Sequence, residues 1–356
     1  MKKLLSISIL AGLIGMSSCS EDFEVAAPYR QITFAYGMLD KADTAHYIRI
    51  QKAFMDENKS AIDMSKVPDS SFYQQLNVRM LEYSGTTLTA TYPLTKVDLN
   101  KEGYTKASSV NQQSFFTSPN NGYKFKADLK TDRSYRLLIT NTVTGRTDST
   151  DNIGIVSNDT NSVTAGFYVN EFNKAGLLVD FARTTVTSKL DYFVNTPANS
   201  YTLEGILRFH YEDRNILTNT KTRKTVDYAF ATLNVNPSQA YTPSVLNNNI
   251  YSYLRDAIGV APANVERYMD SCDIIFYAGS KELANYNTVM ANTSNGLTND
   301  IIQPNYTNMV SKDAFGIIGS KASRTYISAG LSFGTMDSLK NLPIVKPLNI
   351  RGRTDD

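Results

Sequence analysis

Ser134-Tyr135-Arg136-Leu137-Leu138-Ile139-Thr140-Asn141-Thr142 alternates apolar and polar positions, which puts Tyr135, Leu137 and Ile139 on one face of an extended strand. The reading is a half-buried strand. Working outward, similar runs recur at residues 31–36, 46–54, 76–83, 86–92 and 123–129. In the first, Ile32, Phe34 and Tyr36 share a face, and residues 37–45 then turn the chain; in the second, Ile48, Ile50 and Phe54 point inward. Pro119-Asn120-Asn121-Gly122 is a turn, and Gly145-Arg146 is a hairpin tip. Short strands with turn signals every ten or so residues predict an immunoglobulin- or fibronectin-like sandwich over residues 29–150.

Residues 149–162, with Asp151, Asn152, Asn158, Asp159 and Asn161, read as a linker. Beyond it, residues 163–345 form a second β-rich domain with a few short helices, so the fold class is mainly β. Strands are expected at 163–169, 175–183 and 201–213, the last long enough to leave its sheet as a ribbon. Residues 215–225 are polar and basic and read as its tip, with 226–235 returning. Ile250, Tyr251, Leu254 and Ile258 follow helical spacing. A second short helix is expected at 262–270, a central strand at 273–277 and a last strand at 323–333.

The first residues carry an address. Lys2 and Lys3 precede an apolar run from Leu4 to Gly15 and then Met16-Ser17-Ser18-Cys19, the anatomy of a secretory signal over residues 1–18. The apolar run is too short for the roughly 20 residues that cross a bilayer. A Cys after two small residues resembles the lipobox of bacterial lipoproteins, which implies that Cys19 is acylated and holds the protein to outer-membrane lipid. Residues 19–28 would then be a lipidated tether. Ser20-Glu21-Asp22-Phe23-Glu24 resembles the acidic export signal of Bacteroidota surface lipoproteins, which implies an outer-membrane protein facing the cell exterior.

The chain has 36 basic and 34 acidic residues. Without Lys2 and Lys3 the charges balance, so there is no electrostatic footprint for nucleic acid. Two cysteines are present, and lipidation of Cys19 leaves Cys272 alone in an apolar strand-like run, where a buried small hydrophobe is expected. His46 and His210 stand far apart in the sequence. No HExxH, GxSxG, phosphate loop or Cys/His metal spacing occurs, and no cofactor is expected. Glu212 and Asp213 are adjacent acids, which a strand would aim at opposite faces. Asp98, Asn100 and Glu102 in Asp98-Leu99-Asn100-Lys101-Glu102-Gly103 copy the opening of a calcium loop, but Ser109 stands where the closing acid belongs, so a polar turn is the better reading. Tyrosines are dense in the second half and Trp is absent, which lowers the case for a sugar-stacking platform.

Tyr47-Ile48-Arg49-Ile50-Gln51-Lys52-Ala53-Phe54, Asn305-Tyr306-Thr307-Asn308-Met309 and Phe315-Gly316-Ile317-Ile318-Gly319-Ser320 together resemble an uncharacterised Bacteroidota surface lipoprotein family. Its members often accompany TonB-dependent receptors. The resemblance implies an immunoglobulin-like N-terminal domain, a second β-rich domain and no catalytic residue. Gly316 and Gly319 are expected to serve turns or close backbone approach. The expected function is non-catalytic: an accessory or binding subunit of an outer-membrane β-barrel protein, in uptake, secretion or surface assembly. The alternative is direct glycan or peptide capture by the C-terminal domain.

Overall fold

The computed structural model describes residues 31–53, 63–64, 66–105, 119–157, 168–169, 178–191, 194–293 and 306–352. The signal, Cys19, the run Ser20 to Glu24 and Phe54 lie outside the described residues.

Strand-forming alternation dominates the first half, in β1 (Thr33–Asp40), β2 (His46–Lys52), β3 (Leu76–Ser84), β4 (Thr87–Asp98), β5 (Asn121–Phe125), β6 (Ser134–Asn141), β7 (Thr147–Ser149) and β8 (Ile153–Gly154), with a one-turn helix α1 (Pro68–Ser71). The second half holds β9 (Tyr168–Val169), β10 (Leu178–Val179), β11 (Lys189–Asp191), β12 (Val194–Asn195), β13 (Thr202–Asn215), β14 (Lys221–Asn234), β15 (Ala240–Tyr241), β16 (Ser244–Leu246), α2 (Asn247–Ile258), β17 (Val265–Gly279), α3 (Lys281–Thr293), β18 (Ala314–Leu331), α4 (Phe333–Asn341), a 3-10 turn (Lys346–Leu348) and β19 (Ile350–Arg351). The protein is mainly β. One continuous path of hydrogen-bonded strands runs β14-β13-β17-β18-β1-β2-β5-β4-β3-β6-β7.

Within that path, β1, β2, β5 and residues 95–98 of β4 make one layer; residues 87–94 of β4, β3, β6 and β7 make the other. β4 thus changes layers midway, and the order is that of an immunoglobulin-type sandwich. Ile48, Ile50, Tyr123 and Phe125 pack across the interior against Val78, Met80, Leu137 and Ile139. Tyr135, at the start of β6, is fully buried; its hydroxyl accepts from the Lys130 amide at 2.9 Å and donates to Glu82 at 3.1 Å. A tyrosine bonded back to the backbone just upstream at this strand is the tyrosine corner of such sandwiches.

Two expectations for this half are corrected. β1 runs on to Asp40, and its inward residues are Thr33, Ala35 and Leu39, while Tyr36 is 45% exposed. A one-residue change of phase exchanges the faces of a strand. The aromatic face of β1 is only partly covered: Phe34 meets Phe315 with ring centroids 6.1 Å apart, and partial burial, with Tyr286 of α3 nearby, raises the Tyr36 hydroxyl pKa. The linker expected at 149–162 is, over 149–157, built structure: β8 pairs with β6, and Ile153, Ile155 and Val156 are fully buried. The acids and amides at 158–161 lie outside the described residues.

In the second half, β13 is paired along its whole length with β17, from Thr202 opposite Gly279 to Asn215 opposite Val265. β13 and β14 therefore do not leave the sheet as a two-stranded ribbon, and residues 265–270 are strand, not helix. Mixed apolar and charged positions there fit either period, and the long apolar-faced β13 supplies the partner that decides. α2 lays Ile250, Tyr251 and Leu254 onto a second core with Leu207, Phe209, Ile274 and Phe276. Each such buried side chain contributes roughly 1.5–3 kcal/mol. The tail beyond residue 331 forms α4, whose Ser332 side chain caps the Thr335 amide.

β18 joins the two cores. Its first half pairs with β1 in parallel, from Thr33 opposite Ala314 to Asp40 opposite Lys321; its second half pairs with β17 antiparallel. Ala314 and Ile318 belong to the first core, Ala322 and Ala329 to the second. Gly316 has φ +128°, and a Cβ there would stand 1.9 Å from the Ala35 carbonyl oxygen. Close backbone approach is what this position requires. The side chains of Thr307 and Asn308 take up the backbone of this stretch: the Gly316 amide donates to Thr307 Oγ1 at 3.0 Å, the Ile318 amide donates to Asn308 Oδ1 at 3.1 Å, and Asn308 Nδ2 donates to the Ile318 carbonyl at 2.8 Å. Thr307-Asn308 and Gly316-Ile317-Ile318 are thus one structural unit.

Candidate binding surface

The alternation of β13 puts Leu203, Leu207 and Phe209 in the second core and turns Arg208, His210 and Glu212 to the opposite face. Neighbouring strands answer with acids. Asp227 of β14 stands directly opposite Arg208 and accepts from its Nε and Nη2, both at 2.7 Å. This fork, first through its hydrogen bonds and then through its charge, holds the Asp227 carboxyl below the usual range. His210 Nε2 lies 2.9 Å from Asp273 Oδ2.

Glu212 and Asp213 do point to opposite faces and serve different cations. Glu212 is shared by Lys221 at 3.7 Å and Arg223 at 3.9 Å, while Asp213 binds Lys224 at 2.8 Å and the buried Arg267 at 2.9 Å. Arg267 Nη1 also donates to the Gly259 carbonyl at 2.6 Å, so Asp213 helps fix the end of α2. A concave pocket of about 260 Å3 lies along this end of the sheet, lined by His210, Glu212, Arg223, Lys224 and Tyr268 among others.

The β13–β14 turn closes the surface. The Asn215 amide donates to the Thr220 carbonyl at 2.9 Å, the Asn215 side chain accepts from the Leu217 and Thr218 amides, and Asn219 takes a left-handed φ of +57°. The tip is therefore residues 216–219, shorter than the expected 215–225. Its side chains Ile216 and Leu217 are 53% and 79% exposed, and Val260 is exposed on the loop that holds Asn264, whose carbonyl accepts from the Ile216 amide at 2.9 Å. Neighbouring exposed apolar groups inside a charged rim are the kind of feature that a docking surface uses.

The remaining candidates have structural positions. Asp98 Oδ1 accepts from the Asn100 and Asn120 amides at 3.1 and 3.3 Å, Asn100 Oδ1 accepts from Asn120 Nδ2 at 3.2 Å, and Glu102 accepts from Tyr47 at 2.7 Å and Lys124 at 2.5 Å. The three oxygens close a turn after β4 and hold it to β5; Ser109 lies outside the described residues. Calcium is expected to leave the melting temperature unchanged, whereas a rise that grows with calcium concentration, as mass action requires of a ligand, would overturn this reading. No cluster of three or more metal-ligating side chains occurs among the described residues.

His46 is buried in the first core, its Nε2 3.1 Å from the Ala127 carbonyl. Cys272 is fully buried, and burial pushes its thiol up to about 12, the behaviour of a packing residue and not of a nucleophile. Among the tyrosines, Tyr251 lies in the core against Phe181, whereas Tyr228 and Tyr253 pack 5.1 Å apart where α2 covers β14.

No protein-family model matches this chain, and no curated protein matches it. The charge ladder across β13, β14 and β17 was not read from the sequence, because each pair depends on strand register. The exposed Ile216-Leu217 inside a basic stretch was the signal that could have found the tip.

Proposed function

We infer that this is a non-catalytic surface lipoprotein, held in an outer membrane through acylated Cys19, that docks as an accessory or binding subunit on an outer-membrane β-barrel protein. Several acyl chains at about 0.8 kcal/mol per buried methylene would anchor it stably without a spanning segment. The observation that carries the docking role is the apolar tip Ile216-Leu217, presented in a basic rim at the end of three paired strands. Hydrogen bonds with Asn215 and Asn264 fix the backbone of that tip before a partner arrives, which reduces the ordering cost of association.

The test is native capture of the full protein from membranes in mild detergent. The wild type is expected to bring down a β-barrel protein, and the double substitution Ile216→Asp, Leu217→Asp to lower its recovery at least about tenfold, the effect of removing an interface anchor. Both side chains are exposed, so the variant's unfolding curve should match the wild type. Recovery of the wild-type protein alone would overturn the assignment.

A further inference from the structure

Beside the tip, β14 is the terminal strand of the sheet, and no described segment pairs with its outer side. In an antiparallel pair, residues that exchange no bonds with their opposite number turn both backbone groups away from it. The Asn215 amide bonded to the Thr220 carbonyl sets the phase, and Lys221, Arg223 and Thr225 then direct N–H and C=O to the open side. The next residue in that phase, Asp227, obeys the rule: its carbonyl faces outward and accepts from the Tyr253 hydroxyl of α2. Tyr253 thus marks where cover begins, and the run from Lys221 to Thr225 is exposed throughout.

The geometry points to this run as a strand-addition site for an extended acidic segment of the docking partner. The inference deepens the docking role proposed above and rests on it. Strand addition takes its affinity from main-chain hydrogen bonds at a free edge and its selectivity from alternate side chains. The sign of charge follows from the surroundings: among the described residues, the ion pairs of the edge cations Lys221, Arg223 and Lys224 run to Glu212 and Asp213, and Asp213 is also engaged by the buried Arg267. Arg223 is 88% exposed at 3.9 Å from its acid, free to turn to a new one. A second copy of this chain fits poorly, because edge-to-edge pairing would set the same basic run against itself. Basic residues on an edge often serve to prevent such pairing; here they select the partner that can still pair.

The experiment uses the full protein and a fluorescent peptide alternating Glu with Thr, read by anisotropy. Binding is expected to weaken with salt, and N-methylation of the peptide's alternate amides, which removes about two or three hydrogen bonds, to lower affinity at least about tenfold. Arg223→Pro, which deletes one outward N–H at an edge position that tolerates proline, should lower affinity more than Arg223→Gln does. Absence of binding would overturn the inference. So would binding indifferent to N-methylation and to Arg223→Pro, which would reveal mere charge adhesion. Capture of a barrel protein by the wild type alongside either result keeps the docking role and removes only the edge pairing; peptide binding without capture would show an edge able to pair but remove the docking role, and with it the assignment of this edge to a docking partner.

Discussion

Gly316→Ala is expected to destabilise the protein by at least about 4 kcal/mol or to remove it from the soluble fraction, the size of effect seen when a backbone contact is made impossible. The added Cβ would stand 1.9 Å from the Ala35 carbonyl oxygen and 2.8 Å from the Ala35 amide nitrogen, and these are backbone atoms of a paired strand that no rotamer change can move. The φ of +128° adds strain that an L side chain cannot relieve. β1 and β18 would have to part, which exposes Ala314 and Ile318 of the first core and releases the bonds of Thr307 and Asn308. Gly319→Ala is the control. Its Cβ would stand nearest Ser280 Oγ at 3.1 Å and Met38 Sδ at 3.3 Å, side-chain atoms that need give by only a few tenths of an ångström, so its cost should stay below about 1.5 kcal/mol, as for a small overpacking. Urea unfolding of the two variants checks the contrast; equal midpoints would refute the account of the β1–β18 junction.

Tyr135→Phe is expected to cost about 2–3 kcal/mol, because it leaves the Lys130 amide without its acceptor and takes one donor from a buried carboxylate. Glu82 shows why the second loss matters. Burial alone pushes its carboxyl up, but hydrogen bonds from Tyr92 at 2.9 Å, Thr89 at 2.9 Å and Tyr135 at 3.1 Å, with the charge of Lys130, outweigh burial and leave the carboxyl below its ordinary range. A carboxyl with a lowered folded-state pKa stabilises the protein above its unfolded-state pKa of about 4.3, and that stabilisation is lost as pH falls through the folded value. With one donor gone, Tyr135→Phe should begin its acid unfolding at higher pH than the wild type. Urea titrations at neutral and acidic pH measure both effects. A variant as stable as the wild type, with the same acid limb, would show that the corner hydroxyl is dispensable.

The same tyrosine marks how far the sequence could be read. The period-two pattern of residues 134–142 is local, and β6 has the predicted face buried. The helix at Asn247–Ile258 was legible for the same reason, since Ile250, Tyr251 and Leu254 repeat within one element. Local pattern misled where both periods fit, as at 265–270, and where a strand carries apolar residues on both faces, as in β1. It is silent on pairing between distant segments. Nothing around Phe315 announces that it will lie beside Phe34, and Gly316 reads equally as a turn or a close backbone approach, without naming the strand it approaches. The candidate surface is hidden by the same limitation, because Arg208 with Asp227 and Asp213 with Arg267 are pairs only once three strands are in register.

The parallel pairing of Thr33 with Ala314 joins positions about 280 residues apart, and closing so long a loop is an entropic barrier that slows folding more than it weakens the finished state. A chain synthesised or threaded across a membrane from its N-terminus therefore exposes one flank of β1 until nearly all of the sequence has followed. For that interval the flank is an unpaired strand edge at which misassembly can begin.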